Sequence, residues 1–378
     1  MIPINKPWLG PEEKNEIMSV LDESTLTSAA KDGGMRVRDF ELQLRNYLKA
    51  KHVIAVNSGT SALYAALLAA DLKIDDEVLL PSFTFVATAN SVVAVKAKPV
   101  FVDVHKDDYT IDVLDLKAKI TNKSKAIIPV HLYGHPSAMD EISELADKYS
   151  LKIIEDACQS LGSTFRTKQT GTLGIMGCFS MYASKVLTCG EGGAISTNSD
   201  DLAEKLKMIR NHGMVTGYDT RVFGLNLRLP EISAAIAVVQ TKKLPKMLDL
   251  RRTNAELLSK MLFPITNKLK IRLPQETDSK KFNWYLYTVA FEDSTLRDKV
   301  KDKMLNHGIG ATVYYDPPVH KTPYYSDMTA AWQYKHNNNN SNLSKTEWSS
   351  QHVLSLPVHP LVSQQDIEKM VSIFEGME

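Results

Sequence analysis

The chain is poor in cysteine. Its 378 residues include three, at positions 158, 178 and 189, and no CxxC pair. A small, odd set of that kind argues against a disulfide framework or a cysteine zinc site and fits a reducing compartment, the cytoplasm. There is no excess of charge either. Lys and Arg number 45 against 44 Asp and Glu, a formal net charge of +1. That balance argues against nucleic-acid binding through bulk charge and against a polybasic membrane surface. No apolar run approaches the roughly 18–20 residues needed to cross a bilayer. The opening MIPINKPWLGPEEK also lacks the apolar stretch of a signal peptide. What remains is an ordinary globular composition, 43% hydrophobic and 24% charged, with length for one large core and a smaller one.

Short apolar, β-rich runs recur from residue 53: Val53–Val56, Glu77–Leu80, Pro99–Val104, Ala126–Tyr133, Lys152–Ile154, Cys178–Met181 and Gly193–Thr197. Helical periods separate several of them, at Ser61–Ala70, Met139–Tyr149 and Asp201–Arg210, the last behind a candidate N-cap, Asp200. Strands alternating with helices imply βαβ crossovers and a mostly parallel sheet buried on both faces. Near residue 245 the rhythm changes. Pro245 and the charged stretch Met247–Lys260 suggest a long helix leaving the first domain, followed by weaker strand signals at Trp284–Phe291 and Thr312–Tyr315. The polar tract Tyr334–Ser344 reads as an exposed loop. The layout predicts a large α/β domain over 1–245, its first 25 residues an arm, and a small α+β domain over 246–378.

Three motifs carry chemistry. Asn57-Ser-Gly-Thr-Ser-Ala-Leu63 follows a strand and opens a helix. Small residues at a helix N-terminus can cradle an anion with free N–H groups, or can be an ordinary capped start with Ser58 or Thr60 as the cap. Ile153-Ile-Glu-Asp-Ala-Cys-Gln159 ends an apolar run in two carboxylates, placing Asp156 at the C-terminal edge of a strand. Ligands of open α/β sheets bind there, and a carboxylate at that edge can keep a heterocyclic nitrogen protonated. The alternative is a capping or loop acid. Gly177-Cys-Phe-Ser-Met-Tyr-Ala-Ser-Lys185 ends a strand and reaches a lysine amid small and apolar residues, a setting for a Schiff-base amine as well as for a surface lysine. An anion cradle, an acid for a pyridine nitrogen and a lysine, in that order, are what pyridoxal phosphate requires.

At these residues the chain resembles the sugar aminotransferases of the DegT/DnrJ/EryC1/StrS family, enzymes of fold type I. The resemblance spans nearly the whole chain through NSGTSALYAAL, PSFTFVATANSV, KPVFVDV, HLYGH, IIEDACQSLGS, FSMYASKVLTCGEGGAIST, RNHG, GLNLRLPEISAAI and YYDPPVH. It implies a mostly parallel seven-stranded sheet flanked by helices, plus the smaller α+β domain. It implies pyridoxal 5'-phosphate, with pyridoxamine 5'-phosphate as intermediate. Lys185 matches the lysine of the internal aldimine and the proton shuttle, and Asp156 the partner of the pyridinium nitrogen. Gly59, Thr60 and Ser180 match the phosphate cradle, with Ser61 beside them. Gln159 falls near the ring hydroxyl or face, and Phe85 where an aromatic stacks on the ring or simply fills core. Asn226 matches an asparagine that reaches the phosphate from a neighbouring subunit, which implies a homodimer with a shared site. Arg228, Tyr314, Tyr315 and His320 lie in motifs that border the substrate pocket. Two stretches depart from the family pattern, Pro230 after Leu229 and Met181-Tyr182-Ala183 before the lysine.

The implied reaction moves an amino group from glutamate to a keto group of a nucleotide-linked sugar, by a ping-pong mechanism. A cyclitol aminotransferase is an alternative, as is a non-catalytic regulator of the same fold. The latter is disfavoured by the full set of cofactor residues and the lack of a DNA-binding module. Dehydratase relatives carry histidine in place of the lysine, and Lys185 argues against that reading. His131, His135 and His212 lack the spacing of a zinc site and are expected to line the substrate cleft, with no metal.

Overall fold

A computed structural model describes residues 1–328 and 342–377. Most of the polar tract Tyr334–Ser344 therefore lies outside the described residues. Two helices come first, α1 (Pro11–Asp22) and α2 (Met35–Leu48), followed by β1 (His52–Val56) and α3 (Gly59–Ala69). Then come β2 (Glu77–Pro81), α4 (Ala87–Ala94), β3 (Lys98–Val102), α5 (Val113–Lys119), β4 (Ser124–Ile127), α6 (Met139–Tyr149) and β5 (Lys152–Asp156). A two-stranded hairpin, β6 (Thr164–Phe165) and β7 (Lys168–Gln169), precedes β8 (Met176–Ser180), β9 (Gly193–Thr197) and α7 (Asp200–Arg210).

These strands form a seven-stranded sheet in the order β1-β9-β8-β5-β4-β2-β3. Only β9 runs against its neighbours, β1 and β8; every other pair is parallel. The expected mostly parallel sheet is the one found, and each of the seven apolar runs contributes a strand. Both faces are covered. Val53 and Ala55 of β1 join a core containing Phe40 and Leu44 of α2, whereas Ile54 and Val56 join one containing Leu63 and Leu67 of α3. Alternation of side chains along a doubly covered strand has this result, and each buried Val, Leu or Ile contributes about 1.5–3 kcal/mol.

The structure corrects several boundaries. The run Ala126–Tyr133 is strand only to Ile127. Pro129 has no N–H for the ladder, and the chain then turns through Leu132–Gly134. The N-cap of α7 is Ser199, whose Oγ accepts the Leu202 N–H at 3.3 Å, and Asp200 is the first helical residue. The helix expected near Pro245 starts at Glu231, so α8 (Glu231–Leu262) carries that proline in its interior. Thr312–Tyr315 makes one bridge, Thr312 to Ser355, and no strand.

After α8 come α9 (Thr266–Leu269), β10 (Ile271–Arg272), β11 (Lys280–Lys281), β12 (Tyr287–Phe291) and α10 (Ser294–Asn306). The last elements are α11 (Ser344–His352), β13 (Val353–Leu356) and α12 (Gln364–Glu375). Strands β10, β12 and β13 form a three-stranded antiparallel sheet. Its core takes Leu258 and Leu262 of α8, Val300 of α10 and Phe374 of α12. Strand β11 pairs with β6 and ties this part of the chain to the hairpin that follows β5.

Gly177 of β8 lies against the turn at Gly171, where a Cβ would overlap the Gly171 carbonyl. Gly171 itself has φ +83°, and a Cβ there would run into the Phe179 ring. Neither backbone segment can back away without breaking the sheet. Gly177→Ala is therefore expected to cost about 1–3 kcal/mol by overpacking, read as a lower thermal midpoint.

Candidate active site

Four loops meet at the C-terminal edge of the parallel strands: Ser58–Ser61 after β1, Ser82–Phe85 after β2, Asp156–Gln159 at the end of β5, and Ser180–Lys185 after β8. Ser58 caps α3, its Oγ accepting the Ser61 N–H at 3.0 Å, and the Ser61 hydroxyl donates to Asn57 Oδ1 at 2.6 Å. Cap and cradle are compatible. The Ala62 N–H goes to the Ser58 carbonyl, but among the described residues nothing accepts the N–H of Gly59 or Thr60. Two unpaired donors at a helix N-terminus suit an anion. A Cβ on Gly59 would stand 2.7 Å from Ser180 Cβ and 3.0 Å from Cys158 Sγ, so these three residues share one wall.

Asp156 is buried, 5% exposed. Its Oδ2 accepts the Thr88 hydroxyl at 2.8 Å and its Oδ1 the Cys158 N–H at 3.2 Å. Because Thr88 donates to Asp156, the Thr84 hydroxyl, 3.0 Å away, donates to Thr88. Among the described residues no Lys, Arg or His forms an ion pair with Asp156, so a buried carboxylate is left without a countercharge. Gln159 follows with its amide fixed at both ends. Its Oε1 accepts the Tyr133 N–H at 2.8 Å, and its Nε2 donates to the Tyr315 hydroxyl at 2.9 Å.

Lys185 is half-buried, with Nζ 4.9 Å from the centroid of the Tyr285 ring. The charges of Lys185 and Asp156 both act on the Cys158 thiol, whose pKa is pushed well up, first by burial. Tyr315 in turn feels both Asp156 and Tyr285. Gly59, Ser180, Asp156, Gln159, Lys185 and Tyr315 thus form one neighbourhood. Thr60 is exposed at its edge, and Phe85 is 56% exposed with its ring 6.0 Å from that of Tyr315. Tyr314 accepts the Tyr133 hydroxyl at its carbonyl, and burial pushes its phenol up to about 12.

The remaining expected residues lie farther out. Asn226 is exposed, its carbonyl 3.5 Å from Asn57 Nδ2 and its Oδ1 accepting the Arg228 N–H at 3.4 Å. Arg228 donates to Asn211 Oδ1 at 2.7 Å. His320 sits over the end of β2. Glu347 can only accept, at 3.2 Å, so Nε2 carries the proton of the neutral ring, and Nδ1 accepts the Ser82 hydroxyl at 2.7 Å while Ser82 Oγ accepts the His320 N–H at 3.1 Å. Burial, the largest influence, lowers the His320 pKa.

From residue 10 to residue 375 the sequence matches the DegT/DnrJ/EryC1/StrS aminotransferase family. The chain belongs to this family. GDP-perosamine synthase of Caulobacter vibrioides is 33% identical to it, over 99% of this chain and 97% of its own length. The dTDP-3-amino-3,4,6-trideoxy-α-D-glucose transaminase of Streptomyces venezuelae is 35% identical, over 86% and 83% respectively. The structure of S. venezuelae DesV in complex with a ketimine intermediate is 32% identical and superposes with a TM-score of 0.88, covering 100% of this chain and 99% of that one. The chain is a transaminase with the fold of its family.

Two histidines of the aminotransferase do not line a cleft. His131 is fully buried. Its Nδ1 accepts the Ser137 N–H at 3.0 Å, so Nε2 carries the proton and donates to Glu155 at 2.9 Å. His135 is stacked on Phe282 at 4.0 Å in the core, whereas His212 is exposed. Among the described residues no three His, Cys, Asp or Glu side chains are grouped to hold a metal. Thr88 and Tyr285 escaped the sequence reading. The four-residue spacing of Thr84 and Thr88 at the start of a helix was a usable signal for the first, and nothing local marks the second.

Burial pushes His135 down to about 4, from an ordinary 6.5. The folded protein therefore binds fewer protons than the unfolded chain between those values, and stability falls as pH drops from about 6.5 towards 4. His135 accounts for up to about 3 kcal/mol of that loss. Denaturation midpoints measured from pH 7 to 4.5 should fall accordingly, and His135→Phe should flatten the slope.

Proposed function

We propose that this transaminase moves an amino group from glutamate to a keto group of a nucleotide-linked sugar, with pyridoxal 5'-phosphate as cofactor and its pyridoxamine form as the amino carrier. The observation that carries the reading is the buried Asp156 carboxylate, which has no ion-pair partner among the described residues. A protonated ring nitrogen is the countercharge it lacks, and Thr88 and the Cys158 N–H aim it. The free N–H groups of Gly59 and Thr60, with the Ser61 and Ser180 hydroxyls, would hold the phosphate. The Gln159 amide, fixed by Tyr133 and Tyr315, would face the ring, and Phe85 would cover it.

When bound, the cofactor supplies an electron sink for the carbanion left as a C–H bond breaks. The chain supplies the base. Lys185 Nζ takes the α-proton from glutamate and later delivers a proton to the sugar carbon, so one amine serves both half-reactions and gives ping-pong kinetics. Arg228, Tyr314 and His320 are assigned to the substrate side, His320 held by Ser82 and Glu347.

The same reading includes a homodimer in which a second copy brings its Asn226 to the phosphate. Around this region Phe85, Tyr182, Phe223 and Leu225 are 56%, 49%, 64% and 42% exposed, apolar surface that a second copy would cover. Three free thiols suit the cytoplasm. The change of composition near residue 245 remains our proposed boundary between a large and a small domain.

The test is the visible spectrum of the purified protein. A yellow protein that bleaches on adding glutamate, with borohydride leaving the cofactor label on the Lys185 peptide, is the expected result. A colourless protein that takes up no added cofactor would overturn the reading in favour of a regulator. Lys185→Ala is expected to lose at least about a hundredfold in turnover while still retaining cofactor through dialysis.

A further inference from the structure

We propose that the ring face of Tyr285 is the seat of the Lys185 ammonium whenever that amine is not bonded to the cofactor, making Tyr285 a positioning residue for both half-reactions. The inference rests on the assignment of Lys185 as the base. Among the described residues Lys185 Nζ has no ion pair and no hydrogen bond, and the Tyr285 ring is what it faces, 4.9 Å from the centroid. An ammonium within about 6 Å of an aromatic face is attracted by the ring quadrupole, the more so where water is excluded. A carboxylate in the same place would hold the amine too firmly for it to give up its proton. A π face offers a shallower well, suited to a group that must leave and return.

The ring is well placed for this. Tyr285 is 5% exposed, on the segment that enters β12. Its N–H donates to Asn283 Oδ1 at 2.9 Å and its carbonyl accepts Arg251 Nη1 at 3.2 Å. Its hydroxyl lies 3.2 Å from the Ser184 hydroxyl, so the residue preceding the lysine is tied to the same ring. Asn283 is itself anchored on the carbonyls of Gln159 and Leu161 at 2.9 and 3.0 Å, which joins the seat to the loop that follows Asp156.

Two measurements test this. In the cofactor-free full chain, reductive 13C-methylation should give a Lys185 signal, assigned by its loss in Lys185→Arg, displaced upfield of the other methylated lysines by the ring current. Tyr285→Leu should return that signal to the common position. In the loaded enzyme, replacing Tyr285 by phenylalanine and then by increasingly fluorinated phenylalanines keeps the ring's shape and drains its negative face. The single-turnover rate with glutamate should fall progressively along that series by roughly 3- to 30-fold in total, with KM for glutamate changing less than twofold. An undisplaced Lys185 signal, a flat rate across the series, or a loss confined to KM overturns the proposal. A borohydride label away from Lys185 in the unsubstituted protein would instead overturn the reading on which it rests.

Discussion

Successive side chains of a β-strand leave on opposite faces, and at the end of β5 this separates two adjacent carboxylates into different tasks. Glu155 points into the protein. It accepts the N–H groups of Gly171, Leu173 and Gly174 at 2.6–2.7 Å and the ring of His131 at 2.9 Å, a buried carboxylate saturated by donors. Asp156 points to the other face, accepting from Thr88 and the Cys158 N–H and, among the described residues, forming no ion pair. The first fastens the turn that packs on β8, and so aligns the strand that leads to Lys185. The second is left with an electrostatic need that an incoming cation can meet.

The polar groups around that edge are fixed by neighbours rather than by their own conformational preference. Thr84 orients Thr88, which orients Asp156; Tyr133 and Tyr315 hold the Gln159 amide between them. Such second contacts keep a site in a reactive geometry without large movement on binding. Tyrosines are prominent among them. Tyr133, Tyr285, Tyr314 and Tyr315 bring aromatic faces and single hydroxyls into a region that is otherwise apolar, and Tyr285 and Tyr133 come from parts of the chain about 150 residues apart. Burial keeps the phenols of Tyr133 and Tyr315 protonated, as hydrogen-bonding groups and not as bases.

Much of this was legible before folding. Seven apolar runs give seven strands, because a strand buried on both faces must be apolar throughout. Asp156 and Lys185 stand out because strand ends can be read from where such runs stop. Boundaries were less legible where chemistry overrode pattern. Pro129 interrupts the β4 strand inside an apolar run, the pairing with β5 resuming as a single bridge from Val130 to Asp156, and α8 carries Pro245 in its interior because packing along a long helix outweighs one missing hydrogen bond. The histidines misled because HLYGHP places two of them in loops, and loops are expected at the surface. Here the loop is covered, one ring bonded to Glu155 and the other stacked on Phe282.

The sequence by itself determined the fold class, the order of the motifs and membership of the aminotransferase family, because these depend on residue type and spacing along the chain. Tertiary structure decided that, among the described residues, Asp156 has no countercharge and Gly59 and Thr60 keep free N–H groups, and that Tyr285 faces Lys185 from 100 residues away. Each of those is a statement about which groups meet after the sheet has closed, and contact between distant residues leaves no local trace in composition or period.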